Sequence, residues 1–455
     1  MMEVRGIAVC EGCDAVFRHP HLRRREVACC TRCGTELERH RGSQRQQMLP
    51  LALASLVLFA IANCFPIVEI ELRGLHSQTT LVGAVIVLGG EGMGIVSMLV
   101  LATTLLFPLM QLAVLCYLLV PLGRGVRPPG FALLVRLLQS LRPWGMIEVF
   151  LLGVLVAIVK LTAFATVIAG PALWAFAVLT VLLTKVISFN PRAFWQMAFD
   201  VDESRQVRGA DALLPLAADP PSAQAAMRPP LLPAPRAAVE AIGRPRRFRT
   251  AASIGLRECH HCGTAWMHAH DGEPCGRCGT RLRTRKPDSL RRTWAFLIAA
   301  TLMYLPANLL PVMITQSLLG TERDTIMSGI IYFWVSGSYE LAALVFTASF
   351  LVPLFKLAAL FLLVVLAQRR SPWRRQDRAR LYRVLEVIGR WSMLDVFVVS
   401  LLAGLVRLQG LAVISAAAGI AAFAAVVVLT MLSSISFDPR LTWDDDDKSP
   451  KSDPP

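Results

Sequence analysis

Eight of the eleven cysteines in this sequence form two groups of four, and each group consists of two Cys-x2-Cys pairs. A Cys-x2-Cys turn brings two thiolates and the neighbouring backbone amides towards one ion, and two such turns complete the tetrahedral shell of a structural zinc site. The spacing therefore predicts two small zinc ribbons, each holding one zinc ion and too small to fold without it. The predicted ligands are Cys10, Cys13, Cys30 and Cys33 in the first ribbon, and Cys259, Cys262, Cys275 and Cys278 in the second.

Thiol redox chemistry is the alternative interpretation of the same pairs, because dithiol oxidoreductases also use Cys-x2-Cys. Four thiols in two pairs favour a metal over disulfides in a reducing compartment. Histidines near the second group could replace a ligand there, but the first group has no matching histidine cluster. These histidines are His260, His261, His268 and His270.

Long apolar runs make up most of the remaining chain. The 455 residues are 55% hydrophobic and only 17% charged, whereas soluble domains are about one quarter charged. Eight runs are each about long enough to cross a bilayer core of roughly 30 Å. We expect an all-α polytopic membrane protein with two groups of four helices. The runs are 51–68, 95–120, 146–168, 172–189, 294–314, 341–367, 391–414 and 416–437.

The charge of the chain indicates its orientation in the membrane. Lys and Arg outnumber Asp and Glu by 47 to 32, which gives a net charge of +15. Residues 1–48 carry nine arginines and the connections after the second and sixth runs are also basic, whereas 69–91 and 315–338 contain one arginine each. By the positive-inside rule, both termini and both ribbons are expected in the cytoplasm. No nucleic-acid partner is expected, and the N-terminus lacks the apolar core of a secretory signal.

An internal duplication explains why the runs come in fours. Trp-Gly-Met-Ile-Glu-Val-Phe at 144–150 matches Trp-Ser-Met-Leu-Asp-Val-Phe at 391–397, and Ile-Ser-Phe-Asn-Pro-Arg at 187–192 matches Ile-Ser-Phe-Asp-Pro-Arg at 435–440. An even number of helices in each half predicts parallel repeats. The predicted order is ribbon 1 (1–48), membrane repeat 1 (49–200), a Pro- and Arg-rich linker (201–254), ribbon 2 (255–290), membrane repeat 2 (291–440) and a solvated acidic tail (441–455).

Polar residues within the apolar runs are candidates for a substrate path, because ionisable groups are costly in a membrane. Snorkelling to a headgroup, pairing with a basic loop and ordinary helix termination are the structural alternatives. The runs contain no paired histidines for haem, and the chain has no Gly-x4-Gly-Lys-Ser/Thr phosphate loop, so neither haem ligation nor P-loop ATP hydrolysis is expected. A non-enzymatic role is the expectation. The candidates are Asn63, Pro66, Glu148, Lys160, Asn308, Pro311, Lys356, Asp395 and Arg407.

Taken together, the two four-cysteine ribbons, the duplicated segments and the closing Ser-Phe-Asn/Asp-Pro-Arg resemble the paraquat-inducible protein A family of bacterial inner-membrane proteins. The resemblance spans residues 10–443. It implies a subunit of an intermembrane transport system that works with a periplasmic, tunnel-forming protein carrying mammalian-cell-entry domains. It further implies that the chain loads or unloads phospholipid, with a polar network drawn from the candidates above. A membrane thiol oxidoreductase and a non-transporting scaffold or regulator are the alternatives.

Overall fold

The computed structural model describes most of both predicted halves. Most of the predicted linker and Asp395 lie outside the described residues. The described residues are 1–4, 6–18, 26–39, 44–72, 75–90, 92–162, 166–187, 192, 194–195, 197–198, 250–317, 320–369, 374–393, 396–398, 400, 407–408 and 412–447.

Short strands surround the first cysteine group, and helices follow it. The strands are β1 (Met2–Val4), β2 (Ile7–Val9), β3 (Val16–Arg18), β4 (Val27–Cys29) and β5 (Glu36–Arg39). The first helical region contains α1 (Gln44–Cys64), β6 (Val68–Leu72), β7 (Leu75–Thr79), α2 (Leu81–Gly90), α3 (Gly94–Leu101), α4 (Phe107–Gly123), α5 (Phe131–Leu141), α6 (Ile147–Thr162), β8 (Thr166–Ala169) and α7 (Pro171–Ile187).

The second part of the chain has a similar order of elements. The strands β9 (Leu256–Glu258) and β10 (Ala265–Met267) accompany the second cysteine group. They are followed by α8 (Ser289–Leu309), β11 (Met313–Ser317), β12 (Gly320–Asp324), α9 (Ile326–Val335), α10 (Tyr339–Val345), α11 (Val352–Gln368), α12 (Arg375–Trp391), β13 (Arg407–Leu408), β14 (Ala412–Ala416), α13 (Ala418–Ser436) and a 3₁₀ segment, Pro439–Asp447.

The all-α expectation is wrong in one respect, because each helical region carries a small antiparallel sheet. The sheet orders are β7-β6-β8 and β12-β11-β14-β13. The predicted helix 146–168 ends at Thr162, the predicted helix 294–314 ends at Leu309, and residues 412–414 of the predicted helix 391–414 are extended. The strands at these helix ends contain Val, Ile and Thr, which favour extended backbone, and hydropathy alone does not separate a short buried strand from the end of a helix.

One glycine in each helical region allows the small sheet to lie close to the helix that follows it. A Cβ on Gly170 would lie 2.2 Å from the carbonyl oxygen of Pro66, and a Cβ on Gly419 would lie 2.5 Å from that of Pro311. The backbone N–H of each glycine donates instead, from Gly170 to Ile67 and from Gly419 to Pro311. Glycine is therefore required at both positions by the close approach of two backbones.

Two helical stretches change to π-helical geometry at matching places. The π segments Ala102–Leu106 and Phe346–Leu351 directly precede α4 and α11. Proline is the second residue of both α4 and α11, and it removes a backbone donor from the helical hydrogen-bond ladder. The wider turn of each π segment accommodates the hydrogen bond that the proline cannot make.

Five helical stretches among the described residues are long and apolar enough to cross a membrane, where the sequence predicted eight. They are Gln47–Cys64, Gly94–Gly123, Phe131–Val159, Ala342–Gln368 and Ala418–Ser436. Shorter apolar helices are Leu81–Gly90, Pro171–Val186 and Ile326–Val335. The chain is therefore a mostly helical membrane protein.

The two helical regions share one hydrophobic core. Phe150 of α6 stacks edge-on against Phe397, with ring centroids 5.7 Å apart. Phe176 of α7 also packs against Phe150, with ring centroids 5.3 Å apart. Buried aliphatic side chains of α3 and α13 belong to the same cluster. Helices of both regions, α3, α6, α7 and α13 among them, therefore pack together.

Candidate functional site

The four thiols of the first cysteine group converge from two similar turns. The amide of Asp14 donates to the carbonyl of Cys10 at 2.9 Å, and the amide of Gly34 donates to that of Cys30 at 2.8 Å. Each turn places its two sulfurs on one side. The Sγ atoms of Cys10 and Cys33 lie 3.4 Å apart, and those of Cys13 and Cys30 lie 3.5 Å apart.

The second cysteine group repeats this geometry. The amides of Gly263 and Gly279 donate to the carbonyls of Cys259 and Cys275, each at 2.8 Å. Both glycines have positive φ, +73° and +70°, which the tight turn requires. The paired sulfurs lie 3.4 Å apart between Cys259 and Cys278 and 3.7 Å apart between Cys262 and Cys275.

Both groups fit a tetrahedral metal ion. The four sulfurs of each group lie within 4.8 Å of one another and are buried. A tetrahedral zinc site with Zn–S bonds of about 2.3 Å has sulfur–sulfur edges of about 3.8 Å, close to the shorter separations seen here. Threonine hydroxyls lie beside three of the thiols, at 3.2 Å for Thr35 and 3.3 Å for Thr264 and Thr280. Each buried group could therefore hold a metal ion, with a hydroxyl beside the ligands.

The two ribbons are joined to each other, which the sequence did not predict. Strand β1, which precedes the first cysteine group, pairs with β10 in the second ribbon, so that Glu3 faces Trp266. The buried carboxylate of Asp14 pairs with Arg285 at 3.1 Å and with Arg440 at 3.7 Å. Residue Thr250, within the predicted linker, forms a β-bridge with the first ribbon.

The predicted acidic tail also begins inside this assembly. Trp443 is buried against the first cysteine group, and Asp444 pairs with Arg285 at 2.6 Å. The expectation of a solvated tail is therefore wrong for its first residues. The large indole and the arginine partner hold this stretch in place, whereas the count of acidic residues indicated only solvent exposure.

The second copy of the duplicated segment, Asp-Pro-Arg at 438–440, lies beside the ribbons. Burial opposes ionisation of Asp438, but the Arg440 guanidinium and the backbone N–H groups of Lys286 and Arg440 outweigh it and hold the pKa of Asp438 below its usual value. Burial, together with the charges of Arg440 and Arg192, lowers the pKa of His260 to about 4. His260 is therefore neutral at pH 7 and accepts a hydrogen bond from Arg440.

Lys356 is the most deeply buried candidate among those whose side chains the structure describes. It lies in α11 and is only 1% exposed. Its Nζ donates to Thr430 Oγ1 on α13 at 2.9 Å and to Ser392 Oγ at 3.4 Å. Within the part of the chain that the structure describes, no carboxylate pairs with it. Neither hydroxyl was among the predicted site residues, since no spacing in the sequence connects positions 74 residues apart.

Gln111 is the corresponding residue in α4. Its side chain is buried, and its Oε1 lies against Gly145, where a Cβ would be 3.0 Å away. Its Nε2 makes no hydrogen bond to any residue that the structure describes. The two regions therefore place a polar group at the same point of the second long helix, charged in one region and neutral in the other.

The other candidates that the structure describes lie in other elements. Glu148 accepts a hydrogen bond from Thr184 at 2.7 Å at an exposed position of α6. Lys160 lies near the end of α6. Arg407 lies in strand β13, so its predicted place in the helix 391–414 is wrong. The strand forms because 407–408 pairs with 412–413. Asp395 lies outside the described residues.

Asn63 and Asn308 occupy the ends of α1 and α8. Each side-chain amide donates to the backbone carbonyl four residues earlier, Phe59 at 2.7 Å and Tyr304 at 2.8 Å. Pro66 and Pro311 follow in the turns that lead to the sheets, where their carbonyls meet the glycines described above. These contacts are those of helix termination.

The fold and the sites define a class: a helical membrane protein with two buried four-cysteine groups that could bind metal. The family model for paraquat-inducible protein A matches residues 45–198 and again residues 290–446. The chain belongs to the paraquat-inducible protein A family, as the resemblance in the sequence indicated.

Curated relatives match over almost the whole length. The chain is 34% identical over 438 residues to Intermembrane transport protein PqiA of Escherichia coli K12, covering 96% of this chain and 95% of the relative. It is 28% identical to Lipophilic envelope-spanning tunnel protein A of the same organism, covering 96% and 90%. It is also 28% identical to a Probable intermembrane transport protein of Haemophilus influenzae, covering 96% and 95%. No solved structure matches the chain significantly. The relatives' names support intermembrane transport as the general role.

Proposed function

We propose that this chain is the inner-membrane subunit of an intermembrane transport system and loads or unloads phospholipid for a periplasmic tunnel-forming partner that carries mammalian-cell-entry domains. The observation that carries the proposal is Lys356, an ammonium group buried between membrane helices with only hydroxyl partners among the described residues. A membrane protein retains such a costly group where it serves a substrate or ion path. An anionic phosphate headgroup would supply the missing negative charge.

The proposed orientation places the ribbons and both termini in the cytoplasm. The arginine-rich segments lie on the ribbon side, where α12 carries Arg375, Arg378 and Arg383. The loops with one arginine each carry the two membrane-region sheets. This asymmetry is the one that the positive-inside rule describes. The eight-helix arrangement of two parallel repeats remains part of the proposal, supported by the twofold match to the family model.

The metal is proposed to be zinc, one ion in each ribbon, with a structural role. When bound, zinc would supply the charge that keeps four thiolates together, and the surrounding turns would hold those thiolates in place. Metal analysis of the purified chain should give about two zinc ions, with the eight ribbon thiols protected from alkylation. A metal-free chain with a reversible disulfide would instead support a thiol oxidoreductase.

The transport proposal is tested on cells and on the purified protein. We expect deletion to weaken the outer-membrane barrier, and we expect the full chain, crosslinked in cells before extraction, to bring down phospholipid and a periplasmic tunnel-forming protein. An intact barrier after deletion, together with a purified chain that carries neither lipid nor partner, would overturn the proposal and favour a scaffold.

A further inference from the structure

The second ribbon, which begins the second part of the chain, docks on the first helical region. In α5, Arg136 donates from its guanidinium to the carbonyl of Cys278, and Gln139 donates to the carbonyl of His261 at 2.9 Å. The ring of His261 completes the contact with Gln139 at 2.7 Å. The second cysteine group also shares a hydrophobic core with α1, α4 and α5.

The first ribbon, which begins the chain, docks on the second helical region. In α12, Arg383 donates to the carbonyl of Cys33 at 2.9 Å and to that of Gly34 at 2.8 Å. Gln376 of the same helix donates to the carbonyl of Arg32 at 3.4 Å. The first cysteine group packs against Trp443, and the Arg32 guanidinium lies 4.5 Å from the centre of that ring.

The two contacts share an arginine and a tryptophan at matching positions of the duplication. Arg136 and Arg383 are 247 positions apart, close to the separation of the duplicated segments, and each donates to the carbonyl of the last cysteine of a group. Trp195 and Trp443 are paired in the same way, since each shares a core with one cysteine group. In both cases a ribbon contacts the helical region of the other half of the chain. We call this arrangement crossed docking: the first ribbon contacts the second helical region, and the second ribbon contacts the first.

We propose that the two ribbons form a metal-dependent crossed clamp, in which each ribbon fixes the amphipathic helix of the opposite membrane region. A ribbon of this size keeps its turns only while its ion is bound, so the carbonyls that receive Arg136 and Arg383 are positioned only then. Metal occupancy of the first ribbon therefore holds α12, and that of the second ribbon holds α5. The pairing of β1 with β10 connects the two ribbons, so the clamp also sets the two helical regions relative to each other.

This inference rests on the proposed metal ion in each ribbon but not on the transport proposal, because it concerns how the ribbons are attached to the helices. It predicts that a change in one helix affects the cysteine group that is farther away along the chain. A change in α12 must affect the first cysteine group, about 350 residues earlier, and must spare the second group, which is much closer along the chain. A change in α5 must affect the second group in the same selective manner.

The test is metal loss from the full-length, zinc-loaded chain in detergent, challenged with EDTA and N-ethylmaleimide and read by mass spectrometry of each cysteine peptide. Arg383→Ala removes two charged hydrogen bonds, so the first group should be alkylated about 10-fold faster, with little change in the second. Arg136→Ala should accelerate the second group alone. The matched controls are Arg380→Ala, an exposed residue of α12 paired with Asp377, and Arg124→Ala, which is exposed after α4; both should behave as the unchanged chain.

Arg383→Lys serves if the alanine variant does not fold, because it keeps the charge and loses the forked donation; a smaller acceleration, still confined to the first group, is expected. Three results in the arginine variants would overturn the crossed clamp: faster alkylation only of the cysteine group that is closer along the chain, equally faster alkylation of both groups, or no acceleration of either group. Hydrogen exchange gives an independent readout. Cys13→Ser should raise amide exchange in α12 more than in α5, and equal exchange in the two helices would also overturn the proposal.

Discussion

Replacing Lys356 by methionine should separate the stability of this protein from its activity. The substitution keeps the length of the side chain and removes the buried charge. The chain loses one good hydrogen bond from a charged donor, the one at 2.9 Å to Thr430, which is worth about 1.5 to 3 kcal/mol. The Thr430 hydroxyl keeps its bond to the carbonyl of Val427 at 3.0 Å and is therefore not left unsatisfied.

The stability gained by removing the buried charge is larger than the stability lost with this hydrogen bond. An ammonium group that is 1% exposed has lost nearly all of its hydration, and the effective penalty for such burial is several kcal/mol. We therefore expect Lys356→Met to leave the free energy of unfolding unchanged or to raise it by about 1 to 3 kcal/mol. Thermal unfolding in one detergent, compared with Lys185→Met at an exposed position of α7, measures the difference.

A clear loss of stability would refute this reasoning. Breaking a buried ion pair costs about 3 to 5 kcal/mol, because the remaining charge has no partner. A fall of that size in Lys356→Met would mean that a carboxylate pairs with the lysine. Asp395, three residues after Ser392, would be the first residue to test by the matching change to asparagine.

Three further predictions concern the ribbons and the sheets. Cys275→Ser should reduce bound zinc from about two ions per chain to about one, measured by elemental analysis; an unchanged ratio would mean that this cysteine is not a ligand. Gly170→Ala should lower the free energy of unfolding by about 1 to 3 kcal/mol, because its Cβ would lie 2.2 Å from the carbonyl of Pro66. The control Gly329→Ala has open space around the new Cβ and should leave the stability unchanged. Equal melting temperatures for the two variants would contradict the close approach at Gly170. The lowered pKa of Asp438 stabilises the folded chain above the unfolded value of about 3.9, and this contribution is lost as the pH falls through the lower folded pKa. Asp438→Asn should therefore be less stable than the unchanged chain at pH 7, with the gap closing below about pH 4; a gap independent of pH would contradict the assignment.

The local parts of both sites could be predicted from the sequence. The Cys-x2-Cys spacing is short, so the turn itself brings two thiols together, and two turns suffice for each group. Lys356 could also be predicted from local sequence, because the apolar residues on both sides of it indicate that it is buried in the membrane region. The duplicated Pro-Arg segment drew attention to the neighbourhood of Asp438 and Arg440, although no role could be assigned to it.

Contacts between distant segments could not be predicted in this way. Thr430 lies 74 residues after the lysine that it contacts, and β1 pairs with a strand more than 260 residues away. The sequence predicts helix ends where β8 and β14 form, because the side chains there are as apolar as those of the helices. Their conformation depends on partners, Val68 and Met313 among them, that only the folded chain supplies.

The most direct test of the transport account follows isotope-labelled phospholipid between the inner and outer membranes of cells that lack this chain. We expect the unchanged chain and Lys185→Met to restore transfer to the same rate, and we expect Lys356→Met to fail although it is folded and inserted. Transfer that is indifferent to the deletion, or fully restored by Lys356→Met, would contradict the account.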